Sequence, residues 1–346
     1  MRLQHQQHQR LPQRPRLPQP PPPSNHATLH SMTTSAVNLR AVWKRFGKTE
    51  AVRGIDLDVP DGSLTGFIGP NGAGKSTTIR MIMSIIYPDE GSVQVLSADA
   101  ISAKDRIGYL PEERGLYRRM RVMEFLKFMA TLKGLPAAGL DARVNAWLER
   151  VQLTDASKKR CQELSKGQQQ KVQFIASVIH DPELIILDEP FSGLDPVNAR
   201  LINRLIRDLH DAGRTIIFST HVMHQAEQLC DRIVLINRGE KILDASMTEI
   251  HARFDPRTVQ VEPSSHDPAD ASRLGALPGV ERAQWDPERH AAELTIARDV
   301  DPQSVMRAAI ALMPVRTVEL RKTTLDDVFV ELVGEAMPSS EESGNG

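Results

Sequence analysis

The chain has 346 residues, 40% of them hydrophobic and 25% charged, which is typical of folded globular proteins and excludes wholesale disorder and fibrous repeats. At about 150 residues per domain, this length suggests roughly two domains. Lys and Arg number 43 against 44 Asp and Glu, a net charge of -1, so no global positive field favours nucleic-acid binding. No run approaches the roughly 18 apolar residues of a membrane span. We interpret Cys161 and Cys230 as reduced, buried thiols of a cytosolic protein.

Residues 1–31 differ in composition from the rest of the chain. They hold seven of the 23 prolines and four arginines, and the first acidic residue of the chain is Glu50. Such a segment buries too little apolar surface to fold. We therefore predict a disordered tail, with Met32 as an alternative native start; a basic interaction arm is the other interpretation.

From about residue 36, strand-like and helix-like patterns alternate, which predicts an α/β fold. Several strands are near-continuous aliphatic runs, as in a parallel sheet covered on both faces. The predicted strands are residues 37–42, 55–59, 64–68, 93–96, 184–187, 215–219 and 233–236. Helices are predicted at 78–86 and 169–179, and apolar residues at one-face spacing predict a helical subdomain over about 115–180, among them Phe125, Leu126, Met129, Val144, Trp147 and Leu148.

After about residue 250, prolines and Asp-rich turns separate shorter segments. We predict a small α+β domain over residues 256–333, with strands at 258–261, 292–296 and 316–320 and a helix at 303–312. A terminal helix at 325–332 would begin after Thr324 as its N-cap. Residues 337–346 are polar, and we predict a disordered tail.

One nine-residue segment fits the pattern G-x-x-x-x-G-K-[ST] between strand 64–68 and the following helix. Its glycines let backbone N–H groups wrap phosphate oxygens at a helix N-terminus. Lys75 would reach the β and γ phosphates, and the hydroxyl of Ser76 would hold Mg²⁺. The segment is Gly69, Pro70, Asn71, Gly72, Ala73, Gly74, Lys75, Ser76 and Thr77. It predicts a P-loop NTPase core that binds the phosphates of a nucleotide together with Mg²⁺.

Two further motifs are consistent with nucleotide hydrolysis. The aliphatic strand 184–187 ends in Asp188, which can bind Mg²⁺, and Glu189, which can activate a water as general base. Leu164 precedes a polar segment at the start of the helix at 169–179, where Ser165 and backbone N–H groups would form an anion site. A simple N-cap is the other interpretation of Ser165.

In this order the motifs resemble the nucleotide-binding subunit of an ATP-binding cassette (ABC) transporter over residues 36–250. The resemblance implies that the chain pairs head to tail with a second copy or a homologous nucleotide-binding subunit. ATP would lie between one P-loop and the partner's signature motif, which here is Ser165, Lys166, Gly167 and Gln168. It also implies a D-loop ending in Asp195, a switch histidine at His221 that contacts the γ-phosphate, and adenine stacking on Phe46.

Two positions depart from the family pattern. Glu112 stands where the family has a glutamine that links Mg²⁺ and water to the membrane partner, and we expect this acid to ligate Mg²⁺. Lys166 stands where a second glycine is frequent in the signature. In the family, the region of residues 114–120 docks a cytoplasmic helix of the membrane subunit; an ordinary basic loop is the other interpretation.

The C-terminal domain resembles the extension on ATPases of drug, sodium and related exporters. The chain is therefore expected to be an ATPase that energises an exporter from the cytoplasmic face of the inner membrane, with separate transmembrane permease subunits and without nucleic acid. Glu189 would act as base, with Lys75 and His221 at the γ-phosphate. The alternative is a non-transport ABC ATPase acting on ribosomes or nucleic acid. A regulatory protein without turnover is disfavoured by Glu189, and a P-loop GTPase by the lack of an Asn-Lys-x-Asp motif.

Overall fold

The computed structural model describes residues 35–99, 101–113, 115–255 and 257–335. The predicted disordered tails, 1–31 and 337–346, and Arg114 of the predicted docking region lie outside the described residues. None of the described helices combines the length and apolar character that a membrane span requires. Both cysteines are buried and free, as predicted.

The helices and strands of residues 35–253 form what we call the larger body. Its strands form two sheets. β1 (Ser35–Phe46), β2 (Thr49–Pro60) and β4 (Glu90–Val95) form an antiparallel sheet in the order β2-β1-β4. A six-stranded sheet has the order β5-β6-β7-β3-β8-β9. Its strands are β3 (Leu64–Ile68), β5 (Ile107–Leu110), β6 (Leu184–Asp188), β7 (Thr215–Thr220), β8 (Arg232–Asn237) and β9 (Glu240–Ser246). All but β9 run parallel.

The parallel strands are buried on both faces, which explains their aliphatic sequences. Along β6, Ile185 and Leu187 join a hydrophobic core with the helices, whereas Leu184 and Ile186 join a second core against the antiparallel sheet. This alternation follows from the two-residue period of a strand. The predicted strands are confirmed, but β5 and β9 were not predicted from the sequence.

The larger body contains helices α1 (Lys75–Ile82), α2 (Val122–Leu132), α3 (Leu140–Arg150), α4 (Lys166–Val178), α5 (Pro196–Asp211), α6 (Met223–Leu229) and α7 (Met247–Arg253). Short 3₁₀ turns lie at Lys104–Arg106, Thr154–Ala156 and Cys161–Glu163. The prediction of a helix at 78–86 was wrong at both ends. α1 starts at Lys75, directly after Gly74, and ends before Ser84, whose φ of 51° is left-handed and stops the helix.

The C-terminal segment forms a β-α-β-β-α-β unit with its own hydrophobic core, which includes Val259, Leu294 and Val305. Its antiparallel sheet has the order β11-β12-β10-β13. The elements are β10 (Thr258–Pro263), α8 (Asp270–Gly275), β11 (Val280–Asp286), β12 (Ala291–Ile296), α9 (Pro302–Leu312) and β13 (Val315–Leu320). α8 and β11 were not predicted from the sequence. The predicted fold class, an α/β P-loop core with a small C-terminal α+β unit, is confirmed.

The last helix, α10 (Leu325–Glu335), returns to the larger body. Leu325 and Val328 are fully buried in the larger body, in the hydrophobic core that Ile185 and Leu187 form with the helices. The backbone N–H of Leu325 also donates to the Glu227 carboxylate on α6. Thr324 caps the helix as predicted, because its hydroxyl accepts from the N–H of Asp327 at 3.2 Å.

Candidate nucleotide-binding site

The glycine loop connects β3 to α1 in a conformation that requires glycine. Gly69, Gly72 and Gly74 have φ values of 147°, 78° and 109°, which L-residues rarely adopt. A Cβ on Gly69 would clash with the carbonyl oxygen of Ile236, and one on Gly74 would lie 2.5 Å from the carbonyl oxygen of Ala51. The loop backbone therefore packs closely against the backbone at Ile236 and Ala51, and it borders a cavity at the N-terminus of α1.

Lys75 is nearly buried beneath this loop, with 6% of its surface exposed. Its Nζ donates to the carbonyl oxygens of Gly69 at 2.7 Å and Pro70 at 3.0 Å. Burial lowers the pKa of Lys75, and the negative charges of Glu189, Asp188 and Glu112 act in the opposite direction. The ammonium group thus stands among carboxylates and carbonyls, where an added anion would gain a desolvated partner.

Asp188 ends β6 and is 3% exposed. The hydroxyl of Ser219 on neighbouring β7 donates to its Oδ1 at 2.6 Å. Burial raises the pKa of Asp188, while hydrogen bonds from Ser219 and Ser76 lower it and the charge of Glu189 raises it further. Asp188 and Ser76 are therefore neighbours, as the predicted metal site requires.

Glu189 and His221 interact directly. Glu189 has a left-handed φ of 50°, which turns its side chain out of the strand direction at the edge where β6 and β7 end. His221 follows β7, and its Nδ1 lies 2.7 Å from Oε1 of Glu189. The backbone N–H of His221 donates to the same oxygen at 2.9 Å, and Thr220 Oγ1 lies 3.3 Å from Oε2.

A cavity of about 350 Å³ brings most of the predicted site together. Its lining includes the seven consecutive residues from Asn71 to Thr77, together with Glu112, Asp188 and Glu189. Ala51 of β2 also lines it. The sequence carries no signal for Ala51, because only the packing of the antiparallel sheet brings it here.

The donors around the cavity suit Mg²⁺, which prefers hard oxygen ligands. Ser76 supplies a hydroxyl, and Asp188 and Glu112 supply carboxylates. Among the described residues, no group of three or more His, Cys, Asp or Glu side chains could hold a metal ion. A magnesium ion here would therefore need further oxygen ligands from water or phosphate, as in nucleotide sites where Mg²⁺ is held by one or two carboxylates.

Phe46 lies apart from this lining. It ends β1 with 52% of its surface exposed, and Lys44 Nζ lies 5.6 Å from its ring centroid. An exposed ring is available to a base, but its stacking on adenine stays a prediction.

The signature residues form the start of α4, outside the cavity lining. Ser165 and Gln168 make a reciprocal capping box: Gln168 N–H donates to Ser165 Oγ at 3.2 Å and Ser165 N–H to Gln168 Oε1 at 3.0 Å. The N-cap interpretation of Ser165 is thus confirmed, and the anion site stays a prediction. Asp195 likewise caps α5 by accepting from the N–H groups of Val197 and Asn198, both at 2.9 Å.

Comparison with known proteins identifies the family. Residues 52–192 match the family model described as ABC transporter, and residues 246–333 match the C-terminal domain of DrrA1-3-like ATP-binding proteins. The chain is 39% identical over 294 residues to the uncharacterized ABC transporter ATP-binding protein YhaQ of Bacillus subtilis (strain 168), covering 85% of this chain and 97% of the relative. This chain belongs to the ATP-binding proteins of ABC transporters. It is an ATPase, as the sequence predicted.

Other relatives are similar over nearly their whole length. The daunorubicin/doxorubicin resistance ATP-binding protein DrrA of Streptomyces peucetius is 32% identical over 319 residues, covering 88% of this chain and 94% of the relative. The Nod factor export ATP-binding protein I of Cupriavidus pinatubonensis is 32% identical over 309 residues, covering 88% and 92%. A solved structure of the ATP-binding subunit of an ABC transporter aligns with a TM-score of 0.60 and 27% identity, covering 64% of this chain and 93% of that chain. The resemblance stated from the motifs is confirmed.

Proposed function

We propose that this ATPase, with ATP and Mg²⁺ bound, powers the export of a substrate through separate transmembrane subunits. The C-terminal unit carries the proposal, because it matches the DrrA-like domain at residues 246–333. Relatives of nearly the same length are named for drug resistance and for Nod factor export. The non-transport alternative, an ATPase acting on ribosomes or nucleic acid, is not favoured, since these relatives are named for resistance and export and the net charge of -1 gives no global positive field.

Each residue at the nucleotide site has a proposed role. The backbone N–H groups of residues 69–77 and the ammonium of Lys75 bind the phosphates, which requires Lys75 to exchange its two carbonyl partners for phosphate oxygens. Glu189 holds the attacking water and accepts its proton as general base. His221 orients Glu189 and reports the γ-phosphate to the rest of the chain.

Ser76, Asp188 and Glu112 would hold Mg²⁺. When bound, Mg²⁺ neutralises charge on the phosphate oxygens as the bond to the leaving group breaks. Asp188 contributes a buried carboxylate that Ser219 keeps oriented. Burial raises the pKa of Asp188 because it disfavours the ionised carboxylate. A cation bound beside Asp188 would compensate this negative charge and stabilise the ionised form.

The complete site requires two nucleotide-binding chains. Ser165, Lys166, Gly167 and Gln168 of one chain would face the nucleotide of the other, with Asp195 at the contact between them. The start of α4 offers a helix N-terminus in which Ser165 and Lys166 are exposed. One solved structure with the same fold is a dimeric bacterial ABC transporter cassette, at 23% identity and a TM-score of 0.56.

Complementation between two inactive variants tests this arrangement. Lys75→Ala removes phosphate binding, and Gly167→Asp places a carboxylate where the partner's nucleotide would sit. Each variant alone should lack ATP hydrolysis, but a mixture forms heterodimers with one intact composite site and should regain part of it. A mixture that stays inactive although each variant folds and dimerises would contradict the shared site.

Capture of the partners tests the transport role. The Glu189→Gln variant, tagged at the C-terminus, is purified with ATP and Mg²⁺ from detergent-solubilised native membranes, because blocked hydrolysis should hold the closed complex. We expect a multi-span membrane protein, docked at residues 115–120, and hence a chain that is peripheral on the cytoplasmic face of the inner membrane. The matched control is Lys75→Ala, which should recover less of it. Recovery of only ribosomal or DNA-associated proteins would favour the alternative function.

A further inference from the structure

Six cations converge on one surface of the helical region. Backbone pairing places residues 118–122 antiparallel to 157–162, through hydrogen bonds from Val122 N–H to Lys159 O at 3.0 Å and from Cys161 N–H to Met120 O at 2.9 Å. All six cationic side chains on these two segments are exposed. This basic patch consists of Arg118, Arg119, Arg121, Lys158, Lys159 and Arg160.

The basic patch lacks internal neutralisation. Within the described residues, no salt bridge involves any of the six, although ion pairs are frequent elsewhere on the surface, such as Arg106 with Glu183. Two carboxylates that closely follow these segments accept from backbone N–H groups instead: Glu124 from Arg121 at 3.3 Å and Glu163 from Arg160 at 2.9 Å. The patch therefore keeps an excess of positive charge in a chain whose net charge is -1.

Two of the cations face each other across the paired segments. Arg121 and Arg160 form an isolated antiparallel bridge, and like charges at directly opposed positions destabilise such a pair. The charges of Arg121 and Arg160 therefore repel each other at the centre of the patch. An external anionic surface would relieve this repulsion, which points to a binding role.

Exposed aromatic and aliphatic side chains border the patch. Tyr117 is 54% exposed and packs edge-on against Phe128, with ring centroids 5.6 Å apart. Phe128 and Leu132 on α2 are 38% and 59% exposed. Cations beside amphipathic aromatic side chains are typical of surfaces that lie on a membrane, where the rings enter the headgroup layer and the cations meet anionic lipids.

We propose that the basic patch binds the anionic headgroups of the membrane leaflet beside the transmembrane partner. The proposal rests on the proposed function, which brings residues 115–120 to the membrane subunit at the cytoplasmic face. Clusters of four to eight Lys and Arg are sufficient for such binding, and each cation near the surface strengthens it about fivefold. The attraction is screened by salt.

Vesicle co-sedimentation with the purified full chain tests the proposal. The probes are vesicles of phosphatidylcholine alone and of phosphatidylcholine with phosphatidylglycerol. The test variant carries Arg121→Gln, Lys158→Gln, Lys159→Gln and Arg160→Gln. The control variant removes the same charge from exposed cations elsewhere, through Arg204→Gln, Arg282→Gln, Arg298→Gln and Lys322→Gln.

We expect the parent and the control variant to sediment with phosphatidylglycerol vesicles and to be released by salt, and the test variant to lose more than a hundredfold in affinity. Equal binding to neutral vesicles, equal losses in both variants, or no binding by the parent would overturn the proposal. So would binding of poly-glutamate or inorganic phosphate to the patch without vesicle binding, because the partner would then be an acidic protein segment or a free anion.

ATP hydrolysis measured in the same preparations separates this inference from the proposed function. All three proteins should hydrolyse ATP equally in the absence of vesicles, since none of the substituted residues lines the nucleotide cavity. Hydrolysis without vesicle binding overturns the lipid proposal alone. Vesicle binding without hydrolysis contradicts the proposed function and leaves the patch as assigned.

Discussion

Two nitrogens of His221 contact the same carboxylate oxygen of Glu189, Oε1, which lies 2.7 Å from His221 Nδ1 and 2.9 Å from the His221 backbone nitrogen. Because an ionised carboxylate only accepts hydrogen bonds, Nδ1 is the donor to Oε1 in this pair. The side chain of Glu189 is therefore oriented by the end of the neighbouring strand β7 and not by its own strand.

This pairing predicts non-additive kinetics. Glu189→Gln should lower the kcat of ATP hydrolysis by about 100- to 10,000-fold, and His221→Ala should also lower it. The double variant should be little worse than Glu189→Gln, because the two side chains act as a unit. Steady-state phosphate release checks this, with the exposed Glu281→Gln as control. Multiplying losses would show that the two residues act independently.

The glycine loop predicts a graded loss of stability. Gly74→Ala combines a φ of 109° with a Cβ 2.5 Å from a carbonyl oxygen, whereas Gly72→Ala has a φ of 78° and open space around its Cβ. Gly72→Ala should therefore lower the free energy of unfolding by about 1–2 kcal/mol, and Gly74→Ala by more. Urea denaturation without nucleotide measures both, and Gly115→Ala, which has open space and no positive φ, should be near neutral. Equal losses would contradict the steric argument.

His180 predicts a loss of stability in mild acid. It is 8% exposed, and its Nε2 lies 3.2 Å from the carbonyl oxygen of Ile107. Burial lowers its pKa from 6.5 to about 4, and the positive charge of nearby Lys133 adds to this. Between these values the unfolded chain binds a proton that the folded chain does not, so stability falls as the pH falls from 6.5 towards 4.

The contribution of His180 is at most about 1.4 kcal/mol per pH unit. His180→Gln keeps a donor for Ile107 O without titrating, so its stability should fall less steeply between pH 6.5 and 4. Urea unfolding across this range measures the difference, which also removes the contribution of carboxylates common to both proteins. The exposed His251→Gln is the control. Parallel curves for parent and His180→Gln would exclude the effect.

The packing of the terminal helix α10 predicts that the C-terminal segment stabilises the larger body. Leu325 is fully buried in the hydrophobic core of the larger body, whereas Val330 on the same helix is 68% exposed. Leu325→Ala should therefore lower the free energy of unfolding by about 2–5 kcal/mol. Val330→Ala should change it by no more than about 0.5 kcal/mol. Thermal unfolding of the full chain compares the two, and similar melting temperatures would refute the core role of α10.

Glu112 predicts a distinct magnesium dependence. Its carboxylate lines the cavity with Asp188, where it would both ligate Mg²⁺ and repel the γ-phosphate. Glu112→Gln should therefore need more Mg²⁺ for half-maximal hydrolysis but turn over at least as fast at saturation. Titration with Mg²⁺ checks this against Glu113→Gln, the adjacent exposed acid. Unchanged metal dependence would remove Glu112 from the metal site.

The sequence by itself determined the features that depend on local chemistry. Strands β3, β6, β7 and β8 were predicted because burial on both faces demands aliphatic runs. The glycine loop was predicted because its glycines, lysine and hydroxyl are contiguous, and Thr324 because a cap acts within one helical turn. The acid pair Asp188 and Glu189 was predicted at a strand end because it directly follows the aliphatic run at 184–187.

Only the tertiary structure decided what depends on long-range pairing. Strands β5 and β9 are short or mixed in polarity, and their neighbours in the sheet identify them, not their own patterns. Ala51 reaches the cavity only because a separate antiparallel sheet packs beside the glycine loop. The opposed Arg121 and Arg160 lie 39 positions apart, and Leu325 enters a core formed mainly by residues far earlier in the chain. Such contacts join segments whose separation along the chain leaves no periodic or local signal.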